Sequence, residues 1–274
     1  MAEYLLHSMS EFSEIFQEIL SHVSPRRLVE IGSEYGGSTK ILLDYAKTKS
    51  AFLEVIDPSP YADLSKVFSG FDDFYIHHRA RSLDVLPEIV ADIYFIDGDH
   101  NYWTVKSELG LIYKPGQSPW VILHDLAYPC GRRDQYYCPS DIPSEGLHQY
   151  TYEMALDEHN ELSAAGFSGM GHFAFAVQKG GPRNGVLTAV EDFIRDREDL
   201  HFSMINPIFG MGVIAPRADA ARVDEILKPY KNKLIDRMED NRISLYIELI
   251  RTQSALENLR KSFWVRVLRK IRLI

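Results

Sequence analysis

Short apolar runs, each ending in a turn and followed by a helical pattern, constrain this chain more than any other feature. RLVEIG (27–32), AFLEVIDP (51–58), ADIYFIDGD (91–99) and WVILHD (120–125) are nearly continuous in apolar residues. Strands covered on both faces read this way, whereas half-exposed strands alternate. FYIHH (74–78) reads as a further strand. Helical spacing marks 11–22, through Phe12, Ile15, Phe16, Ile19 and Leu20, and also 38–46, 83–89, 102–113 and 184–198. Strands that alternate with helices need right-handed crossovers and give a parallel sheet. LHFSMINPIFGMGVIAP (200–216) reads as two strands around Asn206-Pro207, a hairpin that closes the sheet edge. The expectation is an α/β fold with a doubly wound, seven-stranded, mostly parallel sheet.

Two segments fall outside that alternation. Residues 127–183 are long, aromatic and rich in Gly and Pro, and they follow the carboxyl end of a strand, where a lid is expected. From Ala218 the chain becomes helical and charged. The expected division is a catalytic domain over 1–216, with 127–183 as its lid, and a helical, basic extension over 217–274. Residues 251–274 hold Arg251, Arg260, Lys261, Arg266, Arg269, Lys270 and Arg272 against Glu257, a net charge of +6. FWVRVLRKIRLI is basic and amphipathic. It would pack on its own domain or a second subunit, or dock on an anionic membrane surface or a membrane-bound partner.

The formal net charge of the 274 residues is -9, which argues against nonspecific nucleic-acid binding. Hydrophobic residues make up 45% of the chain, enough for a sizeable core. No 18-residue apolar run is present, and the N-terminus has no basic region ahead of an apolar one. Cys130 and Cys138 do not describe a disulfide framework, and their spacing lacks the short knuckles of zinc sites. A cytoplasmic location is expected, with the inner membrane face as a peripheral option, and so is a homo-oligomer.

The turn EIGSEYGGSTK (30–40) carries the first chemistry. A glycine after a strand allows a tight turn and close ligand approach, and a helix N-terminus offers free amides. A dinucleotide would need G-x-G-x-x-G, but Gly32 is followed by Gly36 and Gly37. An ordinary strand-to-helix turn is the plain alternative. Asp57 ends the next strand, where it can accept from both hydroxyls of a ribose or cap the turn at Pro58.

E-x-G-x-x-x-G-x-S resembles the class I S-adenosylmethionine-dependent methyltransferases, whose fold is Rossmann-like. The resemblance covers 25–126 well and 184–216 loosely. It implies cofactor contacts from Glu30, Gly32, Ser33, Tyr35, Gly36, Ser38, Asp57 and Asp97. ARSLDVLPEI resembles the segment flanking the adenine, so Ser82 and Leu83 are expected at the base. Ala80 stands where glycine is common.

FIDGDHNY (95–102) and WVILHD place Asp97, Asp99, His100, His124 and Asp125 at neighbouring strand ends, where such sheets bind ligands. Oxygen-rich clusters with one or two histidines suit Mg2+ or Mn2+. The pattern is similar to metal-dependent O-methyltransferases, and most of all to the branch that methylates sugar hydroxyls on macrolides together with the cephalosporin-hydroxylase-like proteins. That branch has D-x-x-H and then an acidic pair, here His124-Asp125 with histidine in place of glutamate. The resemblance implies Asp97, His124 and Asp125 as metal ligands and His100 as base, with Asp99 and His124 also at the reacting centre. His172 is a second candidate base. Lid residues Tyr128, Arg132, Arg133, Tyr136, Tyr137, His148, Tyr150 and Tyr152 are candidates to hold an acceptor. The implied function is O-methylation of a sugar, glycan or glycosylated natural product. A catechol-like small-molecule enzyme, and a noncatalytic cofactor-binding scaffold acting through its tail, stay open beside it.

Overall fold

The computed structural model describes residues 7–261. MAEYLL, part of the stretch read as lacking a secretory signal, and FWVRVLRKIRLI, read as a basic amphipathic helix, lie outside the described residues.

The apolar runs form the middle of one sheet. Strands β1 (Arg27–Ile31), β2 (Phe52–Ile56), β3 (Tyr75–His78), β4 (Ile93–Ile96) and β5 (Trp120–Leu123) are parallel, and β6 (Leu200–Ile205) and β7 (Met211–Pro216) form the closing hairpin. The order across the sheet is β6-β7-β5-β4-β1-β2-β3, with β7 antiparallel to β5. Chain order reverses between β1 and β4, so the crevice for a ligand opens there.

Each central strand feeds two cores, which is why its residues are apolar in succession. Leu28, Phe95 and Ile122 face a core completed by helices α1 (Ser13–Val23) and α2 (Gly37–Lys49). Val29, Ile96 and Leu123 face the other, completed by α3 (Tyr102–Ile112) and α4 (Val186–Ile194). A residue moved one position along a strand would change cores. Glu54 breaks the apolar run of β2 and is buried, with Arg27 and His78 as partners.

The helix expected at 83–89 is one α turn at Ser82–Val85 that tightens to a 3-10 turn at Leu86–Glu88, where Pro87 removes a donor. The chain over 127–183 holds strands of two or three residues. Gln135–Tyr136, Ala174–Ala176 and Tyr150–Thr151 make an antiparallel sheet, and Ala155–Leu156 pairs with Leu162–Ser163. Buried Asp134 pins this region to the domain. Its carboxylate accepts from the Tyr102 and Gly185 amides, each at 2.7 Å, and from Tyr136 Oη at 2.9 Å.

After β7 come α5 (Ala220–Leu227) and α6 (Lys233–Lys261), separated by a turn at Pro229. Ile243 and Ile247 of α6 are buried with Phe209. Among the described residues no helix is long and apolar enough to cross a membrane.

Candidate active site

A cavity of about 570 Å3 opens at the carboxyl ends of β1, β2, β4 and β5, within the usual size range for small-molecule sites. Gly32 sets its floor. Its φ is +82°, and a Cβ there would stand 2.1 Å from the Asp97 carbonyl oxygen, so the ends of β1 and β4 meet only if this residue has no side chain. Gly36, at φ +84°, starts α2 in the left-handed region.

Asp57 closes one end of the cavity. Its Oδ2 accepts from the Ser33 amide at 2.8 Å and from Ser33 Oγ at 2.7 Å, and its Oδ1 accepts from the Ser59 amide at 2.9 Å. These donors hold the carboxylate at the lip of the cavity, where Ser59 and Tyr61 also lie. Glu30 stands behind the wall, buried, and accepts from Ser38 Oγ at 2.5 Å. Burial pushes its carboxyl up to about 7, against the hydrogen bond from Ser38, and its Oε2 has no partner among protein atoms.

Ser82 and Leu83 line the cavity beside Arg81. Ser82 Oγ donates at 2.5 Å to Glu108 Oε1, and Glu108 is wholly buried on α3. Burial raises the Glu108 carboxyl to about 8, so at neutral pH it is mostly the neutral acid. Asp99 lines the same region. Its Oδ2 accepts from Asn101 Nδ2 at 2.7 Å and Thr104 Oγ1 at 3.1 Å, and its buried Oδ1 has no partner.

At the other end four groups converge. His124 Nε2 is 2.7 Å from the Ile208 carbonyl, which can only accept, so that nitrogen carries hydrogen. His124 Nδ1 then faces Asp97 Oδ1 at 3.0 Å and Asp125 Oδ2 at 3.5 Å. Burial disfavours the charged ring, but Asp97 and Asp125 outweigh it and raise its pKa to about 9. His100 Nδ1 lies 3.2 Å from the same Asp125 Oδ2. Asp125 reaches both rings from a backbone at φ +58°, a left-handed conformation that costs a non-glycine residue about 1–2 kcal/mol.

These residues fit a divalent ion. The ligand atoms of Asp97, His124 and Asp125 all lie within 4.8 Å of one another. Adjacent ligands about 2.1 Å from an ion stand about 3 Å apart, close to the Asp97–His124 separation. With Nε2 held by the Ile208 carbonyl, Nδ1 is the atom that would coordinate, with the ion displacing the proton that Asp97 and Asp125 otherwise favour there.

Gly32, Asp57, Ser82, Leu83, Asp97, Asp99, His100 and Asp125 line the one cavity. Glu30, Ser33, Ser38 and His124 brace it from behind through the bonds just described. Gly36 packs on Phe68, and Tyr35 turns outward, 64% exposed and stacked on Tyr61. From 127–183, Tyr137, Cys138, Asp141, Ile142 and His172 reach the cavity. Arg132 pairs with Glu191, and buried Arg133 is consumed by carbonyl oxygens of Asn160, Ala176 and Val177. Neither arginine is left to hold an acceptor.

The sequence reading missed Tyr61, Trp103, Thr104 and Glu108. Glu108 had a signal, since it sits on the same helical stripe as Val105, Leu109 and Ile112, where an acid is out of place unless bonded.

Residues 29–125 match the family model described as a methyltransferase domain. No curated protein matches the sequence. Among solved structures, the S-adenosylhomocysteine-bound Podospora anserina methyltransferase PaMTH1 is 15% identical with a TM-score of 0.45, over 76% of this chain and 77% of that one. The O-methyltransferase TomG from Streptomyces achromogenes, involved in tomaymycin synthesis and solved with S-adenosylmethionine, is 14% identical with a TM-score of 0.43, over 76% of this chain and 80% of that one. The match over 29–125 identifies a methyltransferase domain in that part of the chain, and the sheet order and the glycine turn agree with the class I S-adenosylmethionine-dependent kind.

Proposed function

We infer that the chain is an O-methyltransferase that moves the methyl group of S-adenosylmethionine to a hydroxyl of a sugar, glycan or glycosylated natural product. The observation that carries this is the His100–Asp125 contact beside the Asp97–His124–Asp125 cluster, in the cavity that Asp57 and Ser82 also line. The sulfonium methyl is already activated, so the protein has to align a nucleophile with it and exclude water. A sugar hydroxyl holds its proton tightly and needs a base, and it gains from a cation beside the oxygen. Asp125 faces His100 Nδ1, which leaves Nε2 as the atom to take that proton. Asp97, His124 and Asp125 would hold Mg2+ or Mn2+, which when bound polarises the hydroxyl oxygen.

On the cofactor side, Asp57 suits the ribose hydroxyls, Ser82 and Leu83 the adenine, and Gly32 the methionine end. Trp103 and Tyr137 supply flat faces that suit a sugar ring. The same faces and cluster would also take a catechol. Acceptor profiling with S-adenosylmethionine separates the two. Turnover on glycosides, lost in His100→Ala, supports the sugar reading, and turnover confined to catechols overturns it.

A further inference from the structure

Helix α6 has two dissimilar faces. Glu239, Ile243 and Ile247 are buried against the domain, the two isoleucines in one cluster with Phe209. Leu245 and Leu249 lie two residues to either side of Ile247, about 200° round the helix in each direction, and so they point away from the domain. They are 72% and 53% exposed. The exposed series continues through Thr252, Leu256 and Leu259. From 245 the steps are four, three, four and three residues. A seam that repeats every 3.5 residues is the signature of a helix facing another helix in a coiled coil.

The helix also leaves its own domain. Arg251 meets Glu158 at 3.0 Å, and residues 252–259 beyond it are all exposed. Helical turns without tertiary cover are marginal in water, so a partner would stabilise these last turns.

We propose that this seam pairs with the same seam on a second copy of the chain, joining two protomers through a two-helix coiled coil. The seam is leucine at four of its five positions, so it complements itself, as a two-fold interface must. Positions bordering it are Tyr246, Glu248, Gln253, Ala255 and Arg260, with two charges of opposite sign among them. Nothing there repels an identical helix, and there is no pattern of charges of the kind that selects a different partner. A membrane fits this part of the helix poorly. Over 244–259 the charged residues are Glu248, Arg251 and Glu257, and Arg251 is paired with Glu158, so anionic lipid meets no basic face.

The test is sedimentation velocity of the full chain from low to high micromolar concentration. It is run on the wild type, on the double variant Leu249→Glu/Leu256→Glu, and on Ser254→Glu, which alters the side of the helix away from the seam. The substituted residues are exposed, so folding is expected to survive, and an unchanged melting temperature checks this. The expected result is two chains for wild type and Ser254→Glu, and one chain for the double variant. A wild type that stays at one chain throughout overturns the proposal. So does a double variant that still sediments as two chains. A monomeric wild type that pellets with phosphatidylserine vesicles would assign the face to lipid instead, again overturning it.

Discussion

His100 Nδ1 and Asp125 Oδ2 stand 3.2 Å apart, linking the turn that follows β4 to the one that follows β5. That contact fixes which ring nitrogen of His100 is free to act. His100→Ala and Asp125→Asn are each expected to lower turnover by about 10²–10⁴-fold. S-adenosylhomocysteine affinity should stay near wild type in His100→Ala. The check is steady-state kinetics beside calorimetry. Full turnover in His100→Ala would remove it as the base.

Dialysis against a chelator is expected to lower turnover by about 10²-fold or more, because an ion polarising the acceptor oxygen supplies several kcal/mol. Added Mg2+ or Mn2+ should restore the wild type but not Asp97→Asn. His124→Ala removes the buried group that faces both Asp97 and Asp125. It is expected to destabilise the fold by about 3–5 kcal/mol, because Asp97 loses its partner and Asp125 is left with His100 alone. Denaturant unfolding would measure this.

Gly32 and Gly116 share a left-handed φ, +82° and +80°, but only Gly32 has backbone where a Cβ would go. Gly116→Ala should cost about 1–2 kcal/mol from conformation alone. Gly32→Ala adds a clash with the Asp97 carbonyl and should cost several kcal/mol more or prevent folding. Paired denaturation curves separate strain from collision.

Glu108 carries a pH signature. Its carboxyl is raised from 4.5 to about 8 by burial, so the folded state binds its proton more tightly than the unfolded state does. Stability from this group is complete below 4.5 and is lost as pH rises toward about 8. Glu30, raised to about 7, adds in the same direction. The melting temperature is therefore expected to fall between about pH 5 and about pH 8, and Glu108→Gln should flatten that fall. An unchanged slope in Glu108→Gln would show that the acid is not held neutral.

The sheet was legible because its central strands are buried on both faces, and Leu28–Val29 and Phe95–Ile96 therefore had to be apolar in succession. Strand ends were legible too, and Asp57, Asp97, His100 and Asp125, all read from them, line one cavity. Tyr35 lies inside the glycine motif, yet motif spacing says nothing about which way a turn residue points, and it stacks outward on Tyr61. The strands within 127–183 are two or three residues long, too short to carry a period, so that region read only as irregular chain. Arg133 looked like a free cation because its partners, the carbonyls of Asn160, Ala176 and Val177, are backbone atoms distant in sequence.

The most direct measurement is calorimetric titration of the full chain with S-adenosylhomocysteine, for wild type and Asp57→Ala. Asp57 accepts from Ser33 and Ser59 at the lip of the cavity, and under the proposed function it takes the ribose hydroxyls. Micromolar binding by the wild type, weakened by at least about tenfold in Asp57→Ala, is the expected result. Absence of binding by the folded wild type, or equal binding by both proteins, would contradict the placement of the cofactor in this cavity.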